Sequence, residues 1–333
     1  MHADASNYEN LQVNGALTGI VVRKNRGQYL VQSGELNIPC SISSRLRKKL
    51  IYPTAAPTSL HHRVQRVDDI DVIDPIAVGD QVAYFEAGDG TGVIQEVLPR
   101  RSQLSRRAAG DIPLEQVMVA NVDQVVIVFA AAKPAPKWNL LDRYLVTAES
   151  AGLSALICIT KLDLVDEAQL DEELALYREI GYRYLYTSAN LGQGIDDFRA
   201  ALKDKVSILM GKSGVGKTSL LNAVEPGLGL KVNAVGHGDV GKGRHTTTHL
   251  EMFSLQSGGS VVDTPGMREF TLWNVDEFGL AGLFPEMRPY LGRCQFRSDC
   301  LHDHEPGCAV RKAVVSGEIH PRRYQSYLKL LDE

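Results

Sequence analysis

Gly211, Lys212, Ser213, Gly214, Val215, Gly216, Lys217 and Thr218 form an unbroken Gly-x-x-x-x-Gly-Lys-Thr run. The spacing suits phosphate chemistry. The glycines let successive backbone N–H groups turn inward around anionic oxygens, and the N-terminus of a following helix adds a favourable dipole. Lys217 is placed to reach the β- and γ-phosphates, and Thr218 to ligate Mg²⁺. The run follows the apolar stretch Val206 to Met210 and opens a helical stretch at Ser219, the strand–loop–helix setting that a phosphate loop needs. A chance glycine-rich turn would not bring both flanks with it. Further on, Asp263 and Gly266 bound an Asp-Thr-Pro-Gly turn after an apolar strand. By itself this is a simple turn. Downstream of a phosphate loop, Asp263 fits the acid that holds Mg²⁺ through water, and Gly266 leaves an N–H to sense the γ-phosphate.

Thr160, Lys161, Leu162 and Asp163 follow the apolar run Ala155 to Ile159. They resemble the Asn-Lys-x-Asp guanine motif of GTPases. A carboxylate at Asp163 accepts from both N1–H and the 2-amino group of guanine, and adenine would leave it unpaired. Thr160 stands where Asn is usual. Asn braces the loop and the base, and Thr reaches less far, which predicts lower affinity with specificity retained through Asp163. Ser188 and Ala189 resemble the last GTPase motif, where a backbone N–H meets the guanine oxygen. An ATP-using kinase or ATPase is the competing enzyme reading, and Asp163 argues against it. A non-catalytic RNA-binding protein that holds GTP only as a structural ligand is the competing non-enzyme reading.

Cys294, Cys300, His302 and Cys308 supply three thiolates and an imidazole over a short span. That donor set suits a closed, tetrahedral, structural Zn²⁺, one per chain. His304 competes with His302 as the fourth ligand. Cys158 lies in an apolar run and reads as core packing; Cys40 is isolated.

The elements needed to hold these groups divide the 333 residues into three parts. Residues 11–100 show short strands with glycine turns, and an oligonucleotide-binding (OB) type barrel fits best. The stretch Tyr52 to Asp74 reads as a loop, and Arg100 to Pro113 as a linker. Residues 114–274 alternate continuous apolar strands with amphipathic helices such as Glu167 to Ile180. This is the pattern of an α/β sheet covered on both faces. Residues 275–333 form a helical module around the cysteines.

Hydrophobic residues make up 44% and charged residues 23%, an ordinary globular balance. No long apolar run predicts a membrane span, and Met1 to Asn10 lacks an apolar signal core, so a cytoplasmic monomer is expected. The net charge of −4 conceals an asymmetry. Between Arg23 and Arg66 lie Lys24, Arg26, Arg45, Arg47, Lys48, Lys49 and Arg63, with Glu35 the sole acid. Arg100, Arg101, Arg106 and Arg107 add a second run. A segregated basic face suits a phosphate backbone, although a merely solvated face has the same composition.

In ordinary GTPases the phosphate loop precedes the base motif. Here the base motifs come first. That order, with an N-terminal barrel and a C-terminal Cys/His cluster, resembles the RsgA (YjeQ/YloQ) family of circularly permuted small-subunit biogenesis GTPases. The segments Gly243 to Thr248, Asp263 to Phe270 and Glu305 to Cys308 carry the likeness further. The resemblance implies a GTP phosphohydrolase that binds the small ribosomal subunit and its rRNA. It would act in late maturation and be stimulated by the subunit. The four Cys/His positions match the family's zinc ligands. After Gly266, where Ras-like GTPases place a Gln, this chain has Met267, which cannot orient water. His245 is the expected substitute, and the resemblance points to the same histidine; Thr246, Thr247 and Thr248 are candidates for the switch hydroxyl on Mg²⁺.

Overall fold

A computed structural model describes residues 15–25, 27–51, 76–107, 115–230, 250–263 and 275–333. The chain forms two compact units. One comprises Met1–Asp123, Leu202–Ile208 and Val240–Gly266; the other Gln124–Ala201, Leu209–Asp239 and Met267–Glu333.

In the first unit, β1 (Leu17–Asn25), β2 (Gln28–Ser33), β3 (Leu36–Ile42), β4 (Gln81–Glu86) and β5 (Gly92–Val97) close a barrel, with α1 (Ser44–Ile51) between β3 and β4. The ring runs β1-β2-β3-β5-β4 and returns to β1, antiparallel except at β3–β5. This is the expected OB-type barrel. Closure leaves no free edge, and alternation sends Val21, Val31, Ile38, Val82, Tyr84 and Ile94 into one core. The expected linker instead contains β6 (Gln103–Arg107), which pairs antiparallel with β7 (Glu115–Ala120). Its arginines hid the strand, because they are engaged within the unit. Arg100 clamps the fully buried Asp80 through two bonds of 2.7 and 2.8 Å. Arg101 holds Asp123 and the carbonyl of Asn121, and Arg106 donates to Gln116 at 2.9 Å. Two later strands, β12 (Glu251–Ser254) and β13 (Ser260–Asp263), form a hairpin here, and Arg23 of β1 pairs across to Glu251.

In the second unit, β8 (Gln124–Ala130), β9 (Ser154–Thr160) and β10 (Arg183–Tyr186) run parallel, and β11 (Val206–Met210) enters this unit at Leu209. Every residue of β8 is buried, as a strand covered on both faces requires. Helices α2 (Trp138–Ser150), α3 (Glu167–Ile180) and α4 (Ile195–Leu202) connect the strands, and α5 (Lys217–Val224) follows β11. Asp166 caps α3 and Gly181, at φ 105°, ends it. The C-terminal module adds α6 (Glu277–Leu280), α7 (Ala309–Ser316) and α8 (Pro321–Leu331) around Phe284, Met287 and Tyr327. Tyr52 to Asp74 lies outside the described residues. No helix among the described residues is long and apolar enough to cross a membrane.

Candidate nucleotide site and metal centre

The phosphate loop leaves the buried end of β11 and enters α5, whose N-terminus carries no side-chain cap. A helix start of this kind is a ready anion site, because its first N–H groups point toward the loop. Gly211 passes so close to β8 that a Cβ would stand 2.3 Å from the carbonyl oxygen of Val128. Gly216 caps α5 at φ 101°, a left-handed conformation that favours glycine. The Lys217 side chain is buried and donates to the carbonyls of Gly211 at 2.6 Å and Lys212 at 3.3 Å. Lys212 and Ser213 are exposed, while Gly214, Thr218 and Ser219 are half-buried.

The base motif turns off the end of β9. Lys161 takes a left-handed φ of 60°, and Asp163 sits in the one-turn helix Leu162–Leu164. Two bonds join this motif to the phosphate loop. The buried Thr160 hydroxyl donates to the Val215 carbonyl, and the Lys161 ammonium donates to the Gly214 carbonyl at 2.7 Å. Lys161 also reaches the Lys133 carbonyl in the loop before α2. Thr160 therefore does brace the phosphate loop, despite being shorter than Asn. Ser188 donates to the Asp163 carboxylate at 2.5 Å, and that bond holds its pKa below the usual carboxylate range. The Ser188 N–H is already committed to the Gln193 carbonyl at 3.0 Å. Of the two residues expected to offer an N–H to the base, Ala189 is thus the better placed. Lys133 is a partner that motif reading missed, because a backbone carbonyl leaves no signature in side-chain spacing.

Asp263 closes β13 opposite Glu251 in the first unit. Gly266, Met267, His245 and Thr246 to Thr248 lie outside the described residues.

Cys294, Cys300, His302 and Cys308 are all buried, and their donor atoms lie within 4.8 Å of one another. Cys294 Sγ and Cys308 Sγ are 3.9 Å apart and lie 3.4 and 3.5 Å from His302 Nδ1. Tetrahedral zinc bonded at 2.3 Å to sulfur and 2.0–2.1 Å to nitrogen spans edges of about 3.8 and 3.6 Å, the spacing that Cys294, Cys308 and His302 show. Burial pushes the Cys300 thiol up to about 12, raises Cys308 and lowers His302. Buried thiols of this kind become thiolates when a cation compensates them. The N–H groups of Ala309 and Arg311 point at Cys294 Sγ and Cys308 Sγ at 3.3 and 3.4 Å, which suits bound thiolates. Tyr324 and Tyr327 fix the ligand loop through the carbonyls of His302 and Leu301, both at 2.6 Å. His304 is left outside: its side chain is 82% exposed and pairs with Asp303. Position therefore groups His302, and not His304, with the three sulfurs.

A strand–loop–helix phosphate site joined to a guanine-type motif that precedes it in the chain defines a circularly permuted P-loop GTPase. The description "RsgA GTPase" matches residues 97–273. Small ribosomal subunit biogenesis GTPase RsgA of Gemmatimonas aurantiaca is 46% identical over 260 residues, spanning 78% of this chain and 84% of that protein. The protein of the same name from Azotobacter vinelandii is 45% identical, spanning 77% and 74%. Among solved structures, YjeQ from Thermotoga maritima matches with a TM-score of 0.69 at 33% identity, covering 94% and 96% of the two chains. YloQ, described as a circularly permuted GTPase, matches with a TM-score of 0.67 at 30% identity over 98% and 96%. The chain belongs to the RsgA GTPase family and is a GTP-hydrolysing enzyme.

Proposed function

We propose that this GTPase binds the small ribosomal subunit late in its maturation and hydrolyses GTP when the subunit stimulates it. The observation that carries the nucleotide half of this reading is the pair of bonds from Thr160 and Lys161 into the phosphate loop, which make one cradle from two separated motifs. Asp163 reads guanine, with Ala189 beside it. Gly211 to Ser219 wrap the phosphates. Thr218 and Asp263 hold Mg²⁺, which would neutralise charge on the β- and γ-oxygens, and Gly266 senses the γ-phosphate. His245 orients the attacking water in place of the missing Gln. The Cys/His cluster holds one structural Zn²⁺.

The subunit half is supported by the names of the relatives, small ribosomal subunit biogenesis GTPases, and by the OB-type barrel, a fold suited to RNA. Arg45 and Arg47 on α1 are exposed, unlike the engaged Arg100, and are assigned to rRNA. The side chains of Lys48 and Lys49 lie outside the described residues. A division at 11–100, 114–274 and 275–333, a monomer and a cytoplasmic site of action accompany this reading. Multiple-turnover GTP hydrolysis, measured with and without purified small subunits, tests it. A rate that subunits leave unchanged would overturn the stimulated-enzyme reading.

A further inference from the structure

The two helices that flank the base motif are tied together from the far end of the chain. α2 follows the loop whose Lys133 carbonyl receives the Lys161 ammonium. α3 begins just past Asp163, at its cap Asp166. Two consecutive residues of α8 reach both helices. The Arg322 guanidinium lies over the ring of Trp138, the first residue of α2, at 4.9 Å, and donates to the Glu173 carbonyl in α3 at 2.9 Å while pairing with its carboxylate. Trp138 in turn packs on Phe129 of β8 and Tyr177 of α3. Arg323, wholly buried, holds the equally buried Asp142 of α2 at 2.7 Å, and Tyr177 donates to that same carboxylate at 2.8 Å. Ser326 adds a third donor at 2.5 Å.

We infer that α8 is a positioning element for guanine recognition: Arg322 and Arg323 set the spacing of α2 and α3, and thereby where Lys161 and Asp163 stand. The inference rests on the reading of Asp163 as the guanine-binding acid. Its physical basis is directional. Lys161 anchors to a carbonyl whose chain position is fixed by Trp138 five residues on, and Asp163 is carried on the turn that leads into α3. Loosening the α2–α3 staple moves the acid relative to the base, and any effect passed to the phosphate loop through Lys161 and Gly214 falls on guanosine and inosine nucleotides alike. A planar cation on an indole face is suited to this role because it resists shear in both helices at once. By reciprocity, bound guanine nucleotide stabilises the docking of α8.

The test uses full-length, zinc-loaded protein and two probes, guanosine and inosine diphosphate, which differ by the 2-amino group. Arg322→Gln is the chosen variant because Arg322 is partly exposed, whereas Arg323 is fully buried. Calorimetry should show the preference for the guanosine over the inosine nucleotide falling about fivefold, the low end of ordinary coupling, with metal content unchanged. A uniform loss of stability would weaken both nucleotides alike and leave their ratio intact. Asp163→Asn serves as the control. If it abolishes the preference while Arg322→Gln retains it in full, the positioning role of α8 is wrong. If Asp163→Asn also retains it, the base-site reading itself has failed. Should Arg322→Gln not fold, amide exchange on the unaltered protein decides: guanosine diphosphate should slow exchange across Pro321–Leu331, and equal rates would overturn the inference.

Discussion

The Lys161 ammonium donates to the Gly214 carbonyl at 2.7 Å, across more than fifty residues of intervening chain, and the neighbouring Thr160 hydroxyl reaches Val215. The two halves of the nucleotide cradle are therefore braced against each other. Thr160→Val keeps the shape and removes the donor, leaving the Val215 carbonyl without that bond. Such a loss costs about 1–3 kcal/mol. The variant should bind guanosine diphosphate about tenfold more weakly, an effect of about 1.4 kcal/mol, in a titration with a fluorescent analogue. Affinity equal to the parent would show that the brace is dispensable.

Asp163 should keep its charge well into acid. Its pKa is depressed chiefly by the Ser188 hydroxyl, so any contribution it makes is fully present above the ordinary carboxylate value and lost only as pH falls through the lower, folded one. Guanine-over-adenine selectivity should stay flat from pH 8 to about pH 5. Ser188→Ala should move the acid limb of that profile upward. Asp163→Asn should switch preference toward xanthosine nucleotides, because an amide can donate to the oxygen that replaces the 2-amino group. A selectivity that falls with a midpoint near neutral pH would assign recognition to another group.

The metal centre predicts one zinc per chain in protein purified without added metal, read by elemental analysis. Cys308→Ala should lose the ion and also the cap it makes at α7, where its sulfur accepts from Arg311. Structural sites of this type bind with roughly 10–16 kcal/mol, so chelation should melt the module. Stoichiometric zinc in Cys308→Ala protein would remove Cys308 from the ligand set.

Arginines that look alike in sequence should behave differently. Reversing Arg45 and Arg47 to Glu should weaken subunit binding and flatten its dependence on salt, with little change in thermal stability. Arg100→Glu should instead destabilise the barrel unit by about 3–5 kcal/mol, since it strands the buried Asp80. Subunit binding that survives the double reversal intact would leave the α1 face solvated only.

His245→Ala should retain GTP affinity and subunit binding but slow single-turnover hydrolysis on saturating subunits by at least about a hundredfold, the usual scale of a lost general base. A variant as fast as the parent would transfer the role elsewhere.

The nucleotide chemistry was legible before the fold because it depends on short covalent spacing. Gly211 to Thr218, Thr160 to Asp163 and the strands β8, β11 and β13 could be read from local order and apolar runs alone. β8 is buried along its whole length, and in β11 only Ser207 interrupts the apolar run. β6 was not legible: Gln103 to Arg107 carries one apolar residue, Leu104, and Arg106 finds its partner Gln116 only across the pairing with β7. The same limit applied to β3, where Pro39 breaks the pattern although Ile38 and Cys40 face the core.

Sequence by itself determined which chemical groups this protein owns and the permuted order in which they occur. Tertiary structure decided which of them meet. His302 and His304 are two residues apart and equivalent on paper, yet a left-handed turn at His302, φ 61°, accompanies one imidazole buried among the three sulfurs and the other left in solvent. Arg322 and Arg323 gain their partners Trp138, Glu173 and Asp142 only when α8 folds back onto α2 and α3. Pairings of that kind depend on distance in space, and local periodicity carries no record of it.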